Sequence, residues 1–157
     1  MKEEKIELTF VKANFNELDI SEQELIEKAK NAHSNAYAPY SGFLVGASIL
    51  LENGEIINGS NQENAAYPSG LCAERVALFY AGAKYPEVAI KTIAISAKSK
   101  TFEINDVVSP CGAWRQVMAE YQQKQKQNIR VLLHSLNNEV LIANSVDELL
   151  PCMFNSE

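Results

Sequence analysis

The sequence is short of cysteine, histidine, tryptophan and positive charge, and each shortage excludes something. Three cysteines in 157 residues are an odd number without framework spacing, which excludes a disulfide scaffold and fits a reduced, cytoplasmic setting. Lys and Arg number 14 against 20 Asp and Glu, a formal net charge of −6. A nucleic-acid surface needs clustered cations to neutralise phosphate, so no nucleic-acid partner is expected. The one basic cluster, Lys124, Lys126 and Arg130, is interleaved with glutamines and reads as a solvated helix end. No apolar run approaches ~18 residues, and Met1-Lys2-Glu3-Glu4-Lys5 is not followed by a signal-like apolar core. Neither membrane insertion nor secretion is expected.

What is present is the composition of one soluble α/β domain, with 46% apolar and 22% charged residues. Ile6, Leu8 and Phe10 alternate with Glu7, Thr9 and Val11, the pattern of a short strand that is either an extra sheet edge or an arm on a neighbouring subunit. Ser21-Glu22-Gln23-Glu24 matches a capping box and predicts a helix from Ser21 to Ala36. A buried strand is expected from Phe43 to Leu51, turned at Asn53-Gly54 into an antiparallel partner beginning at Ile56. Further helices are expected from Leu71 to Ala83, with Gly82 as a cap, and from Pro110 to Lys124. Strands are expected at Val88–Ala97, Ile129–His134 and Val140–Ala143, with a short closing helix at Val146–Leu150. His33 and His134 have no metal-ligand spacing to the cysteines and read as packed or solvated side chains.

The chemistry collects in two turns that each run into a helix. Pro68-Ser69-Gly70-Leu71-Cys72-Ala73-Glu74-Arg75 places a thiol, an acid and a guanidinium at a helix start, and Ser109-Pro110-Cys111-Gly112-Ala113-Trp114 repeats the placement of the thiol. Unpaired N–H groups at a helix start favour thiolate, so both cysteines are prepared to ligate metal. Asn61 and Glu63 alternate across Gln62 and point to one side of an extended segment, a pairing suited to a sugar diol.

These segments, with Pro39-Tyr40-Ser41-Gly42-Phe43-Leu44-Val45-Gly46-Ala47 and Leu149-Leu150-Pro151-Cys152-Met153-Phe154, stand in the order and at the intervals of the small cytidine deaminases. From about Ser21 to Phe154 the chain resembles that family; residues 1–20 lie outside the resemblance as an N-terminal extension, and 21–157 form the domain. The resemblance implies a three-layer α-β-α fold, a mixed five-stranded sheet with helices on both faces, and a homotetramer. It implies hydrolytic deamination of cytidine or 2′-deoxycytidine in pyrimidine salvage. One zinc per subunit would be held by Cys72 and Cys111 and would activate water. Glu74 would carry protons and is not a ligand. Ala73 would offer its backbone N–H to the base, and Arg75 would donate to cysteine sulfur. Phe43 would line the pyrimidine pocket, Asn61 and Glu63 would hold the ribose 3′-hydroxyl, and Phe154 would close a neighbouring subunit's site.

One position departs from the family. Where P-C-x-x-C supplies a third zinc cysteine, this sequence has Trp114. Indole offers an N–H donor and no lone pair for a metal. Three readings stand at this point: a metal-free nucleoside-binding protein without turnover, weaker zinc held by two cysteines and another group, or a changed residue in an otherwise active enzyme. Cys152, in the C-terminal segment, is a candidate replacement ligand from across a subunit interface.

Overall fold

The computed structural model describes residues 1–155 and forms one six-stranded sheet. Strands β1 (Val11–Asn14), β2 (Phe43–Leu51), β3 (Ile56–Ser60), β4 (Ile90–Ser99), β5 (Arg130–His134) and β6 (Glu139–Ala143) lie in the order β1-β6-β5-β4-β2-β3. Helices α1 (Ile20–Ala32), α2 (Ala73–Lys84) and α3 (Gly112–Gln125) complete the domain. The sheet is mixed: β4 and β5 are parallel, with Ile93 opposite Val131, and the other neighbours are antiparallel. A parallel pair needs a long crossover, and α3 supplies it.

The sixth strand is β1. The alternation at Ile6, Leu8 and Phe10 predicts a strand one segment too early, for those residues are exposed and outside any strand. Pairing begins at Val11, opposite Ile142. It is held by an ion pair between Lys12 and Glu139 at 3.0 Å. It ends where Asn14 and Glu17 cap a short turn reciprocally, the Asn14 N–H donating to Glu17 Oε2 at 2.6 Å.

The faces are divided between the helices by two glycines. A Cβ on Gly46 would lie 1.9 Å from the Ala29 carbonyl oxygen, so β2 packs directly on the backbone of α1. A Cβ on Gly59 would lie 2.4 Å from the Ala73 carbonyl oxygen, so β3 touches the first turn of α2 on the opposite face. Leu25, Ile26 and Ala29 of α1 meet Ala94, Leu132, Val140 and Ile142 on one side. Ala77, Leu78, Trp114, Met118 and Ala119 of α2 and α3 meet Ile49, Ile93, Ile95, Val131 and Leu133 on the other. The expected three layers are present.

Helix limits differ from the sequence reading for local reasons. α1 is capped by Asp19, whose carboxylate accepts from the Glu22 N–H at 2.8 Å and from the Ser21 hydroxyl at 2.7 Å, in place of a cap at Ser21. It stops at Ala32 because the chain is drawn off to pair with the 61–63 segment, the Tyr37 N–H reaching Asn61 O at 2.9 Å and the Glu63 N–H reaching Tyr37 O at 2.7 Å. Gly82 is not a cap. It lies inside α2, where a Cβ would come within 2.4 Å of the Tyr121 hydroxyl, and the helix ends at Lys84 with Tyr85 as its C-cap.

Candidate active site

Two helix starts face a cleft at the end of β2. Cys72 is the N-cap of α2 and Cys111 the N-cap of α3, both with extended backbone and no side-chain cap bond. The cleft, of about 300 Å³, is lined by Phe43, Asn61, Glu63, Cys72, Glu74, Cys111 and Trp114, with Val108, Ser109 and Pro110 along one wall. A second hollow adjoins it through Asn61, Glu63 and Cys72, bounded by Tyr40, Tyr67 and Leu71. Phe43 and Trp114, 71 positions apart in sequence, thus line one cleft, and Gly59 lets α2 settle onto β3 beside it.

Glu74 is 5% exposed, and burial pushes its carboxyl up to about 7, opposed by its own backbone N–H. A carboxyl poised there exchanges protons in both directions at neutral pH. Cys72 departs from the sequence expectation. Its thiol is pushed up by burial, with the Trp114 side chain's hydrogen bond opposing, so the helix start does not decide its state. All three cysteines are free, and Cys152 does not line the cleft.

The polar rim is built by backbone. Glu63 accepts from the Tyr40 N–H at 2.9 Å, the Ser41 N–H at 3.3 Å and the Ser41 hydroxyl, which hold its carboxyl below the usual range, the hydroxyl most strongly. Asn61 receives the Val45 N–H at 2.8 Å and donates to Phe43 O at 2.9 Å. This fixes the edge of β2 and leaves the amide one N–H and one lone pair. Phe43 stacks on Phe102, with centroids 6.0 Å apart and planes at 13°. Phe102, Tyr40 and Tyr67 are aromatic neighbours the sequence reading assigned no part. The only signal for the first was an aromatic in the loop 101–108.

Ala73 is the first residue of α2, where helix geometry leaves N–H groups without intrahelical acceptors. Arg75 places its guanidinium 5.3 Å from the centre of the Trp114 ring and 6.0 Å from that of Phe79. Its Nε is buried without a hydrogen-bond partner among the described residues. Phe154 is 79% exposed and outside the cleft, its backbone clamped by Gln116, which receives its N–H at 3.0 Å and donates to its O at 2.7 Å. His33 and His134 lie away from the cleft, as expected, His33 Nε2 bonding Ser96 O at 2.9 Å. Of the basic cluster, Arg130 pairs with Glu22 at 2.6 Å.

Among the described residues no group of three or more His, Cys, Asp or Glu is placed to hold a metal ion. A catalytic zinc takes three protein ligands and keeps one position open. Two thiols and an indole do not supply that set.

Comparison with known proteins agrees with the architecture. Residues 19–128 match the family described as the cytidine and deoxycytidylate deaminase zinc-binding region. The chain is 42% identical over 135 residues to a cytidine deaminase of Halalkalibacterium halodurans, covering 86% of this chain and 95% of that one. It is 39% identical over 135 residues to a cytidine deaminase of Sporosarcina psychrophila, covering 86% and 92%. The crystal structure of cytidine deaminase from Burkholderia pseudomallei superposes with a TM-score of 0.73 at 40% identity, over 83% of this chain and 97% of that chain. With the family match spanning residues 19–128, relatives at 42% and 39% identity and a shared fold, this chain belongs to the cytidine and deoxycytidylate deaminase family, enzymes that hydrolyse a C–N bond.

Proposed function

We propose that this chain binds cytidine or 2′-deoxycytidine in the cleft and converts it by hydrolysis to the uridine product in pyrimidine salvage. One observation carries the reading: Glu74, buried and poised near neutrality, lies in one cleft with Phe43, Asn61 and Glu63. The base enters against Phe43, which Phe102 backs, with the Ala73 N–H as a donor to it. The ribose 3′-hydroxyl donates to Glu63, whose carboxylate is already held in place by Tyr40 and Ser41, and meets the remaining amide capacity of Asn61. As water adds to C4, its proton passes to Glu74 and then to N3. The hydroxyl proton follows to the exocyclic nitrogen, the C4–N bond breaks, and ammonia leaves. The zinc named in the family's description is not fitted by the donors present, and no step here runs through it.

A homotetramer in a reducing, cytoplasmic setting completes the proposal. The exposed rings of Phe79, Tyr80 and Phe154 support assembly, in which Phe154 closes a neighbouring subunit's cleft. A second reading, nucleoside binding without turnover, is favoured by Trp114 alone.

Loss of cytidine absorbance during incubation with purified protein tests the reading. Glu74→Gln is expected to lower kcat by ~10²–10⁴ while nucleoside still binds. Turnover undiminished in Glu74→Gln would refute the role of Glu74. Saturable cytidine binding with no turnover in the unaltered chain would select the second reading.

A further inference from the structure

The donor set of the cleft disagrees with the metal its family is described by, and the disagreement has a structural cause. Trp114 is 1% exposed, among the largest fully buried side chains, and lines the same cleft as Cys72 and Cys111. The ring brings no lone pair into that cleft. Cys152, the remaining thiol, is exposed and does not line the cleft. Arg75 adds an independent sign. Its guanidinium lies over the indole face at 5.3 Å, and its buried Nε has no acceptor among the described residues. A cation that would neutralise metal-bound thiolate lies here over an aromatic ring.

We infer that Trp114 closes the third-ligand position, so that this chain carries no resident zinc and keeps Cys72 and Cys111 as free thiols beside an intact nucleoside cleft. This rests on the reading of the cleft as a nucleoside site. Loss of one of the three protein ligands forfeits about a third of the site's binding free energy, which weakens zinc affinity by roughly 10²–10⁴-fold. Hydrolysis by the unaltered chain then depends on Glu74 and water alone, and its rate is correspondingly low.

The test compares the unaltered protein with Trp114→Cys, each loaded with zinc and freed of excess. Zinc is measured by elemental analysis and by competition with a chromogenic chelator, and thiols by iodoacetamide labelling read as intact mass. The unaltered chain is expected to retain substoichiometric zinc and to label at Cys72, Cys111 and Cys152. Trp114→Cys is expected to retain about one zinc per chain, to protect Cys72 and Cys111, and to turn over cytidine faster. Trp114→His offers a lone pair at the same place and serves if the cysteine variant fails to fold.

Stoichiometric zinc in the unaltered chain, with Cys72 and Cys111 protected, would overturn the inference. So would a folded Trp114 variant that gains no zinc. Cytidine binding, measured separately, distinguishes these failures from failure of the nucleoside-site reading: a zinc-loaded chain that binds cytidine would sink the inference and leave that reading standing.

Discussion

Acid should destabilise this fold through a histidine on the sheet face opposite the cleft. His134 is 3% exposed at the end of β5, with Ser96 Oγ 3.3 Å from its Nδ1, Phe15 edge-on at 6.1 Å, and its Nε2 without a partner among the described residues. Burial pulls its pKa from 6.5 to about 4, with Lys30 and His33 acting the same way and Glu27 and Asn138 opposing. The folded state therefore resists a proton that the unfolded chain accepts below pH 6.5. Stability is full above that value and falls as pH drops through the interval down to about 4. At 1.36 kcal/mol per unit, the complete loss is about 3 kcal/mol, and about 2 kcal/mol is lost by pH 5. His33, also held low by burial, adds in the same direction. Urea unfolding near pH 7.5 and near pH 5, for the unaltered chain and His134→Gln, reads the difference directly. The variant should lose most of the pH dependence assigned to this residue. An identical acid loss in both proteins, or an imidazole NMR midpoint near 6.5 for His134, would refute the reasoning.

Other perturbations separate the parts of the scaffold. Gly59→Ala drives a methyl to within 2.4 Å of the Ala73 carbonyl oxygen, so it should cost about 1–3 kcal/mol in chemical denaturation and weaken cytidine binding by shifting Cys72 and Glu74. A Gly59→Ala protein with unchanged stability would contradict the close approach of β3 and α2. Gln122 is buried. Its Oε1 accepts from Ile129 N at 2.9 Å and Val146 N at 3.0 Å, and its Nε2 donates to Ser145 Oγ and Asp147 Oδ1 at 3.0 Å each. Gln122→Leu strands the two backbone donors and should lower unfolding free energy by about 2–4 kcal/mol, with little effect on nucleoside affinity. Phe102→Ala should raise KM for cytidine more than it lowers kcat, since the ring only stacks behind Phe43.

The layers, the hairpin at Asn53-Gly54 and the two helix-start cysteines were legible in the sequence because each rests on local periodicity or on residues close in the chain. The sixth strand was not placed correctly, since Ile6, Leu8 and Phe10 alternate better than Val11–Asn14, yet only the latter finds a partner edge in β6. Asp19 outcompeted the Ser21 capping box by one short carboxylate bond. Gly82 resembled a cap because the contact that requires it, Tyr121, lies 39 positions away. In the site, the sequence brought Phe43, Asn61, Glu63, Cys72, Glu74 and Cys111 into consideration, and the fold gathers all of them. It could not give the state of Cys72, because the local helix start argues for thiolate while the tertiary surroundings argue against it. The engagement of Asn61 with the backbone of β2, and the clamp of Gln116 on Phe154, are long-range pairings with no local pattern to announce them.

The cleft carries its own reporter of cytidine binding. Trp114 is the one tryptophan in the sequence and lines the cleft. Titration of cytidine into the unaltered protein should change its fluorescence saturably, and adenosine should not. The response should weaken in Phe43→Ala and in Glu63→Gln, whether or not turnover occurs. A fluorescence signal unmoved by cytidine while calorimetry also finds no binding would contradict the account.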